Sequence, residues 1–420
     1  MKVLVCGASG FVGRAIADRL ARDGHQVVRG VRRPASPAEI AIDYMADLSA
    51  EQWLARLEGI DAVVNAVGIL VERGGQTFEC LHAQAPIALF AACRQRDVRR
   101  VIQISALGAD SRETPYFASK CAADDFLLAQ ALPAHVIRPS LVYGHDGDSA
   151  SFFRVMASLP IHPLPAGGRQ ALRPIHVDDL SGLVSRLLDA GDDADHPACI
   201  EAVGGTPVSY REMLGLYRKG MGLPAAIPVG IPAWVMRGTA AIGGWIPSST
   251  LTPETWRMLR RGNTADARQT ASVLGKAPRG IETFIEPAAA PALRAEAVAA
   301  WQPMMLRLAL AVVWIMSAIV SLALYPRAAS FALLERFNLQ GIAAGFAFYG
   351  ACALDFGLGI ATLIKPGRRL WLIQMAVVLI YSALIAIVLP EFLIDPFGPI
   401  LKNIPILALL IVLLNEEPQP

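Results

Sequence analysis

No CxxC pair, no Cys/His cluster and no run of basic residues occurs in this 420-residue chain. The six cysteines (Cys6, Cys80, Cys93, Cys121, Cys199 and Cys352) are scattered, so their spacing supports no metal site and fits a reducing compartment. A net charge of +2 without a basic patch excludes a strong electrostatic case for nucleic acid. Charge is scarce altogether, at 18% of residues, and it is unevenly spread. Of 38 Lys+Arg and 36 Asp+Glu, only seven and six fall in residues 301–420. The mean hydropathy of +0.43 is high for a purely soluble protein. Residues 1–300 have an ordinary soluble composition; the remainder does not. The opening MKVLVCGASG starts a strand at residue 2 and leaves no room for a signal peptide, so this part is expected to stay in the cytosol.

What is present begins with alternation. Short apolar runs (Lys2–Cys6, Gln26–Gly30, Ala62–Asn65, Arg100–Ser105, His135–Arg138) read as strands, and Gly13–Arg22, Ala85–Gln95 and Tyr116–Ala131 between them read as helices. Such βαβ units imply an α/β fold, a Rossmann-type doubly wound parallel sheet covered by helices on both faces. A small mixed substrate region is expected over about residues 144–285. Its helical patterns are Ser209–Lys219, Pro232–Trp245 and Pro253–Arg261. The aromatic stretch around Trp234, Met236 and Trp245 reads as core packing or a substrate lid, with membrane contact as the lesser alternative. Residues 286–300 (EPAAAPALRAEAVAA) read as a linker or helical spacer.

Four apolar blocks follow, at about 304–325, 341–364, 370–389 and 399–414. A bilayer core needs roughly 20 apolar residues per helix, so the pattern predicts an all-α, four-helix transmembrane domain over 301–420. Gly341 and Gly345 supply a small-xxx-small spacing for close helix approach. The basic connector Lys365–Arg369 is expected on the cytosolic side of the inner membrane, and the acidic connector Pro390–Phe397 outside. The N-terminal domain and the C-terminus are then both cytosolic. Asp355 lies inside a span, where an ionisable group is costly and faces protein or water. Lys402 and Asn403 are read as snorkelling or capping near the outer interface.

Three constellations carry chemistry. The first is Gly7-Ala8-Ser9-Gly10-Phe11-Val12-Gly13, between a strand and a helix. There Gly7 permits a tight turn, Gly10 lets backbone approach a pyrophosphate, and Gly13 allows helix and strand to pack closely. The second strand, QVVRGVRR, ends without the acid that would select NAD. Arg29, Arg32 and Arg33 instead favour NADP, with Arg32 the expected 2′-phosphate clamp, Arg33 beside it and NAD as the lesser option. Asp47-Leu48 follows at the spacing where an acid meets the adenine, and Ala66-Val67-Gly68 end a strand with small residues that leave room for the cofactor. The third constellation is Ser105 with Tyr116 and Lys120, the last two at i and i+4 of one helix. A lysine beside a phenol favours phenolate, so Tyr116 is expected to exchange a proton with a substrate oxygen that Ser105 polarises. Among the histidines, His176 is read as ordering the turn in HVDD and His145 as a pocket residue.

These strings, with Ser105-Ala106-Leu107-Gly108-Ala109, Ile137-Arg138-Pro139-Ser140 and Pro174-Ile175-His176-Val177-Asp178-Asp179, make residues 1 to about 285 resemble an atypical, extended, epimerase-like short-chain dehydrogenase/reductase. The SALGA, RPSLVYG and HVDDL segments resemble the branch containing the nucleotide-binding accessory subunit of respiratory complex I. Residues 301–420, with Asp395-Pro396-Phe397-Gly398-Pro399, resemble a DoxX-like membrane domain. The first resemblance implies NADP bound at the glycine loop, Asp47, Leu48, Ala66 to Gly68, Tyr116, Lys120 and Pro139. It also implies a Ser105–Tyr116–Lys120 triad, although the family places its serine more than about twenty residues before the tyrosine. The expected function is a membrane-tethered, NADP-dependent oxidoreductase acting on a small lipid-soluble carbonyl, alcohol or quinone-type substrate. The alternative is a non-catalytic NADP-binding sensor or assembly factor for a membrane complex.

Overall fold

The computed structural model describes residues 1–190, 196–243, 245, 252–396, 398 and 400–417, which form two compact units that divide after Ala297. The first unit is built on seven parallel strands. These are β1 (Lys2–Cys6), β2 (Gln26–Val31), β3 (Glu39–Ala41), β4 (Ala62–Asn65), β5 (Arg100–Ile104), β6 (Ala134–Pro139) and β7 (Cys199–Ala202), in the order β7-β6-β5-β4-β1-β2-β3. Two short edge strands, β3 and β7, were not evident from the apolar pattern. The register pairs Val3 with Val27 on one side and with Ala62 on the other. The chain reverses direction across the sheet between β1 and β4, which opens a crevice at the carboxyl ends of those strands.

Alternation along β1 explains the layers, because successive side chains point to opposite faces. Val3 and Val5 join Ile16 and Leu20 of α1 (Phe11–Arg22), with Leu180, Leu183 and Leu187 of α4 (Val177–Asp189). Leu4 and Cys6 join Leu89, Phe90 and Cys93 of α2 (Ala85–Gln95), with Ala123 and Leu127 of α3 (Pro115–Leu128). All of these side chains are fully enclosed. Each buried Leu, Ile or Phe contributes roughly 1.5–3 kcal/mol relative to exposure, so the two apolar layers hold the crevice rigid.

The substrate region is small and mixed. It contains two-stranded pairs of both senses, such as Ile227–Ile231 parallel to Ile161–Pro165 and Val208–Ser209 antiparallel to Ala171–Leu172. Its core stacks Tyr143 on Phe284, with ring centroids 5.0 Å apart. The Ala/Pro-rich segment forms helix Ala290–Ala299, and its Leu293 and Ala297 are buried in this same core.

Three helical stretches are long and apolar enough to cross a membrane: Ala290–Leu324, which begins in the first unit, and Gly341–Ile364 and Arg368–Val388 in the second. The first contains α5 (Gln302–Ile319), the others are α6 and α7, and a shorter apolar helix, α8 (Asn403–Glu416), follows. A short helix, Arg327–Glu335, intervenes between α5 and α6 and was not foreseen. Phe397 and Pro399 of the motif before α8 lie outside the described residues.

The close approach expected at Gly341 and Gly345 occurs elsewhere. A Cβ added at either of those glycines would meet nothing within 4 Å. At Gly359 it would lie 2.6 Å from Ile315 and 3.2 Å from Trp314, so α5 and α6 touch there. Beside that contact, Trp314 Nε1–H donates to Gln374 Oε1 (2.9 Å), and Gln374 Nε2–H donates to Thr362 Oγ1 (2.8 Å). Thr362 in turn donates to the Leu358 carbonyl, so three buried side chains link α5, α6 and α7. Asn403 donates to Ser382 Oγ at 2.8 Å, a helix-to-helix bond rather than a cap. Asp355 is half-buried, with one enclosed carboxylate oxygen lacking a hydrogen-bond partner among the described residues.

Candidate functional site

The site lies at the carboxyl ends of β1, β4 and β5. Gly7 leaves β1 with φ +80°, a conformation that favours glycine. A Cβ on Gly13 would sit 2.2 Å from the Gly7 carbonyl oxygen, so only glycine lets α1 begin so close to the turn. Helix α1 has no side-chain cap and no acid in its first turn. Its first N–H groups therefore stay available to an anion, and the helix dipole favours one. Ser9 and Gly10 are exposed, while the Phe11 ring packs under Gly144 and Gly147, where an added Cβ would clash at 2.6 and 2.9 Å. Val12 is half-buried against the sheet core.

The three arginines in and just after β2 divide. Arg29 pairs with Asp18 at 2.6 Å and is occupied. Arg32 and Arg33 are exposed and make no hydrogen bond or ion pair among the described residues. Asp47 is 4% exposed, and one carboxylate oxygen meets both Arg56 (2.6 Å) and the Asp43 N–H (2.7 Å). The expected adenine-facing acid thus serves the local fold, whereas the neighbouring Leu48 side chain stays exposed.

Helix α3 starts because Thr114 Oγ1 accepts from the Phe117 N–H and Pro115 occupies the first turn. Its inner face brings Tyr116, Lys120 and Asp124 in line at spacings of four. Lys120 Nζ donates to the Val67 carbonyl (3.1 Å) and the Ile104 carbonyl (3.3 Å), bridging the ends of β4 and β5. Burial lowers its pKa to about 8 against an upward pull from Asp124. A Cβ on Gly68 would lie 3.1 Å from Nζ, so the small residue makes room for the lysine. Ala66 and Val67 are half-exposed beside it, and Pro139 ends β6 with its carbonyl accepting from the Leu107 N–H.

Two expectations need correction. Burial, with Asp124 second, pushes Tyr116 up to about 12 and not down, because Lys120 is held by carbonyls and not by the phenol. Ser105 Oγ–H donates to Asp124 at 2.7 Å, two helical turns from Tyr116, and no hydrogen bond joins Ser105 to Tyr116. Asp124 also accepts from Arg138 Nε (3.1 Å), so the serine belongs to a buried polar cluster.

The sequence reading missed His82. Its Nε2 accepts from the Ile69 N–H at 3.0 Å, which places the ring proton on Nδ1, facing Ser119 Oγ at 3.1 Å. Ser119 passes the chain to the Tyr116 carbonyl. The imidazole is fully buried, lies edge-on to the Tyr116 ring at 5.4 Å, and is held neutral by burial, with a pKa near 2. No local motif marks it; only the fold brings residue 82 to residue 116. Of the other histidines, His176 Nδ1 accepts from the Asp178 N–H and orders that turn, while His145 is exposed and pairs with Asp146. Helix Pro253–Arg261 completes the rim, with Met258 against the Tyr116 cluster and Arg261 over the Phe117 ring. Among the described residues no group of His, Cys, Asp and Glu could hold a metal ion.

Residues 3–202 match the model of the NAD dependent epimerase/dehydratase family, and residues 311–411 match that of the DoxX-like family. A Caulobacter vibrioides ceramide reductase is 29% identical over 42% of this chain and 57% of its own length. Subunit 9 of the mouse mitochondrial NADH dehydrogenase 1 alpha subcomplex is 27% identical over 44% of this chain and 52% of its own. The chain thus spans little more than half the length of these relatives. The crystal structure of a human epimerase family protein with NADPH superposes with a TM-score of 0.53 at 20% identity, covering 71% of this chain and 99% of the other, which shows a shared fold.

Proposed function

We propose that this chain, an epimerase-type dinucleotide-binding domain joined to a DoxX-like membrane domain, is an NADP-preferring oxidoreductase of lipid-soluble carbonyl, alcohol or quinone-type compounds. The observation that carries the cofactor choice is the exposed, unpartnered pair Arg32 and Arg33 where an acid would select NAD. The crevice fits a dinucleotide: the tight Gly7 turn, the uncapped start of α1 and the small Ala66-Val67-Gly68 edge leave backbone where phosphate and ribose need it. A nicotinamide dinucleotide supplies hydride transfer when bound. Lys120 would hold the ribose, with Val67 and Ile104 fixing its ammonium. The Tyr116 phenol would pass a proton to or from the substrate oxygen, and its upward shift suits a group that stays protonated until substrate arrives. A lipid-soluble substrate is favoured by the three apolar helical stretches and by the reductase relative whose named substrate is a ceramide. The proposed setting is the inner membrane, with both termini cytosolic.

The commitment of Ser105 to Asp124 favours a second reading, a non-catalytic NADP-binding sensor or assembly factor for a membrane complex. Tyr116→Phe separates the two in the detergent-purified chain. Under the first reading dinucleotide still binds while turnover of a bilayer-dissolved substrate falls by about two to four decades. Unchanged turnover would remove the phenol from the chemistry. Stable co-purification of a partner complex with bound NADPH, and no turnover, would favour the second reading.

A further inference from the structure

We infer that helix Ala233–Gly243 is an interfacial anchor that lays its aromatic face on an anionic lipid surface. Met236, Ala240 and Gly243 point inward, and the first two pack with Trp256 of helix Pro253–Arg261. The opposite face carries Trp234, Ile242 and Trp245, which are 71%, 67% and 89% exposed. At about 100° of helical rotation per residue these three fall on one side, directly opposite Met236 and Gly243. Trp245 keeps that register just past the helix end, because its N–H donates to the Ile242 carbonyl at 3.0 Å. Two exposed tryptophans on one face are unusual in a soluble domain, where large apolar side chains are buried unless something covers them.

Three features identify the cover as lipid. Indole has an apolar body and one N–H, which suits the boundary between headgroup and acyl chain. The helix carries Arg237 as its single charge, at the edge of the exposed face, and the packed neighbour adds exposed Arg257 and Arg260 against one acid, Glu254. Anionic headgroups attract such a cluster. The same chain carries three helical stretches apolar enough to enter a bilayer, so a lipid surface is tethered to this domain. Of the sequence readings of this stretch, core packing holds for Met236 and not for the two exposed tryptophans, whose proposed role is the lesser reading, membrane contact.

The test uses the full chain in nanodiscs, with and without phosphatidylglycerol. Emission lost in the Trp234→Phe/Trp245→Phe variant reports these two indoles alone. The difference spectrum should be blue-shifted in anionic discs, quenched by lipids brominated high in the acyl chain, and shielded from aqueous acrylamide. Arg237→Gln/Arg257→Gln/Arg260→Gln should restore acrylamide access while dinucleotide binding is retained. Access to acrylamide in the unmodified chain would overturn the proposal. Shielding from both quenchers would also overturn it, by assigning the face to a second protein copy.

Discussion

The two units use glycine and buried polarity in opposite ways. In the dinucleotide unit, two glycines of the crevice sit where nothing larger fits: Gly13 has no space for a Cβ beside the Gly7 carbonyl, and Gly68 yields its place to the Lys120 side chain. Two buried polar side chains at the crevice, Lys120 and His82, are held there by carbonyl and N–H groups near strand ends. In the membrane unit most glycines, including Gly341, Gly345, Gly350 and Gly357, face open space, and among the described residues Gly359 is the one that brings two helices together. Its buried polar side chains bond one helix to another through Trp314, Gln374 and Thr362. The first pattern positions a ligand; the second positions helices, which have little hydrophobic reason to associate in lipid.

The contrast breaks most sharply at Gly13. Gly13→Val should abolish dinucleotide binding outright, because the side chain would force α1 off the Gly7 turn. Fluorescence titration with NADPH checks this, and binding within a few-fold of the unmodified chain would remove the glycine loop from the site.

The membrane unit offers a paired test. Gly359→Leu should lower thermal stability in detergent by an overpacking cost of about 1–3 kcal/mol, whereas Gly345→Leu should change it little. Gln374→Leu sits between them. It strands the Trp314 N–H, and hydrogen bonds between membrane helices average roughly 0.6 kcal/mol. Equal effects at Gly359 and Gly345 would show that the helix contact has been misplaced.

The smallest effect is on pH. Lys120 titrates near 8 in the folded chain and near its ordinary 10.5 when unfolded. The unfolded state therefore binds more protons between those values, so this residue makes stability rise with pH across that window. Dinucleotide affinity should move the other way, weakening above about pH 8 as the ammonium is lost, and Lys120→Met should flatten both profiles. An unchanged profile in the variant would assign the titration to another group.

The architecture was legible because periodicity is a backbone property: the strand runs, the glycine loop and the apolar blocks each announce an element. Site residues were legible only where spacing along one element was enough. Tyr116 and Lys120 share a helix face and were readable together. Ser105 was assigned from its strand position, but the direction of its hydroxyl depends on Asp124 and Arg138, which no local pattern links to it. His82 was invisible because its partners, Ile69 and Ser119, come from different segments. Helix contacts in the second unit were misread for a related reason. An Ala/Gly-rich span offers many small-xxx-small pairs, and only the neighbouring helix selects Gly359.

The central claim is that Arg32 and Arg33 turn this crevice toward NADP. Its most direct test is the affinity of the full chain for NADPH and NADH, before and after Arg32→Ala. A charge-assisted phosphate contact contributes roughly 1.5–3 kcal/mol, so NADPH should bind about one to two decades more tightly than NADH, and the substitution should erase most of that difference. Equal affinities in the unmodified chain would contradict the account.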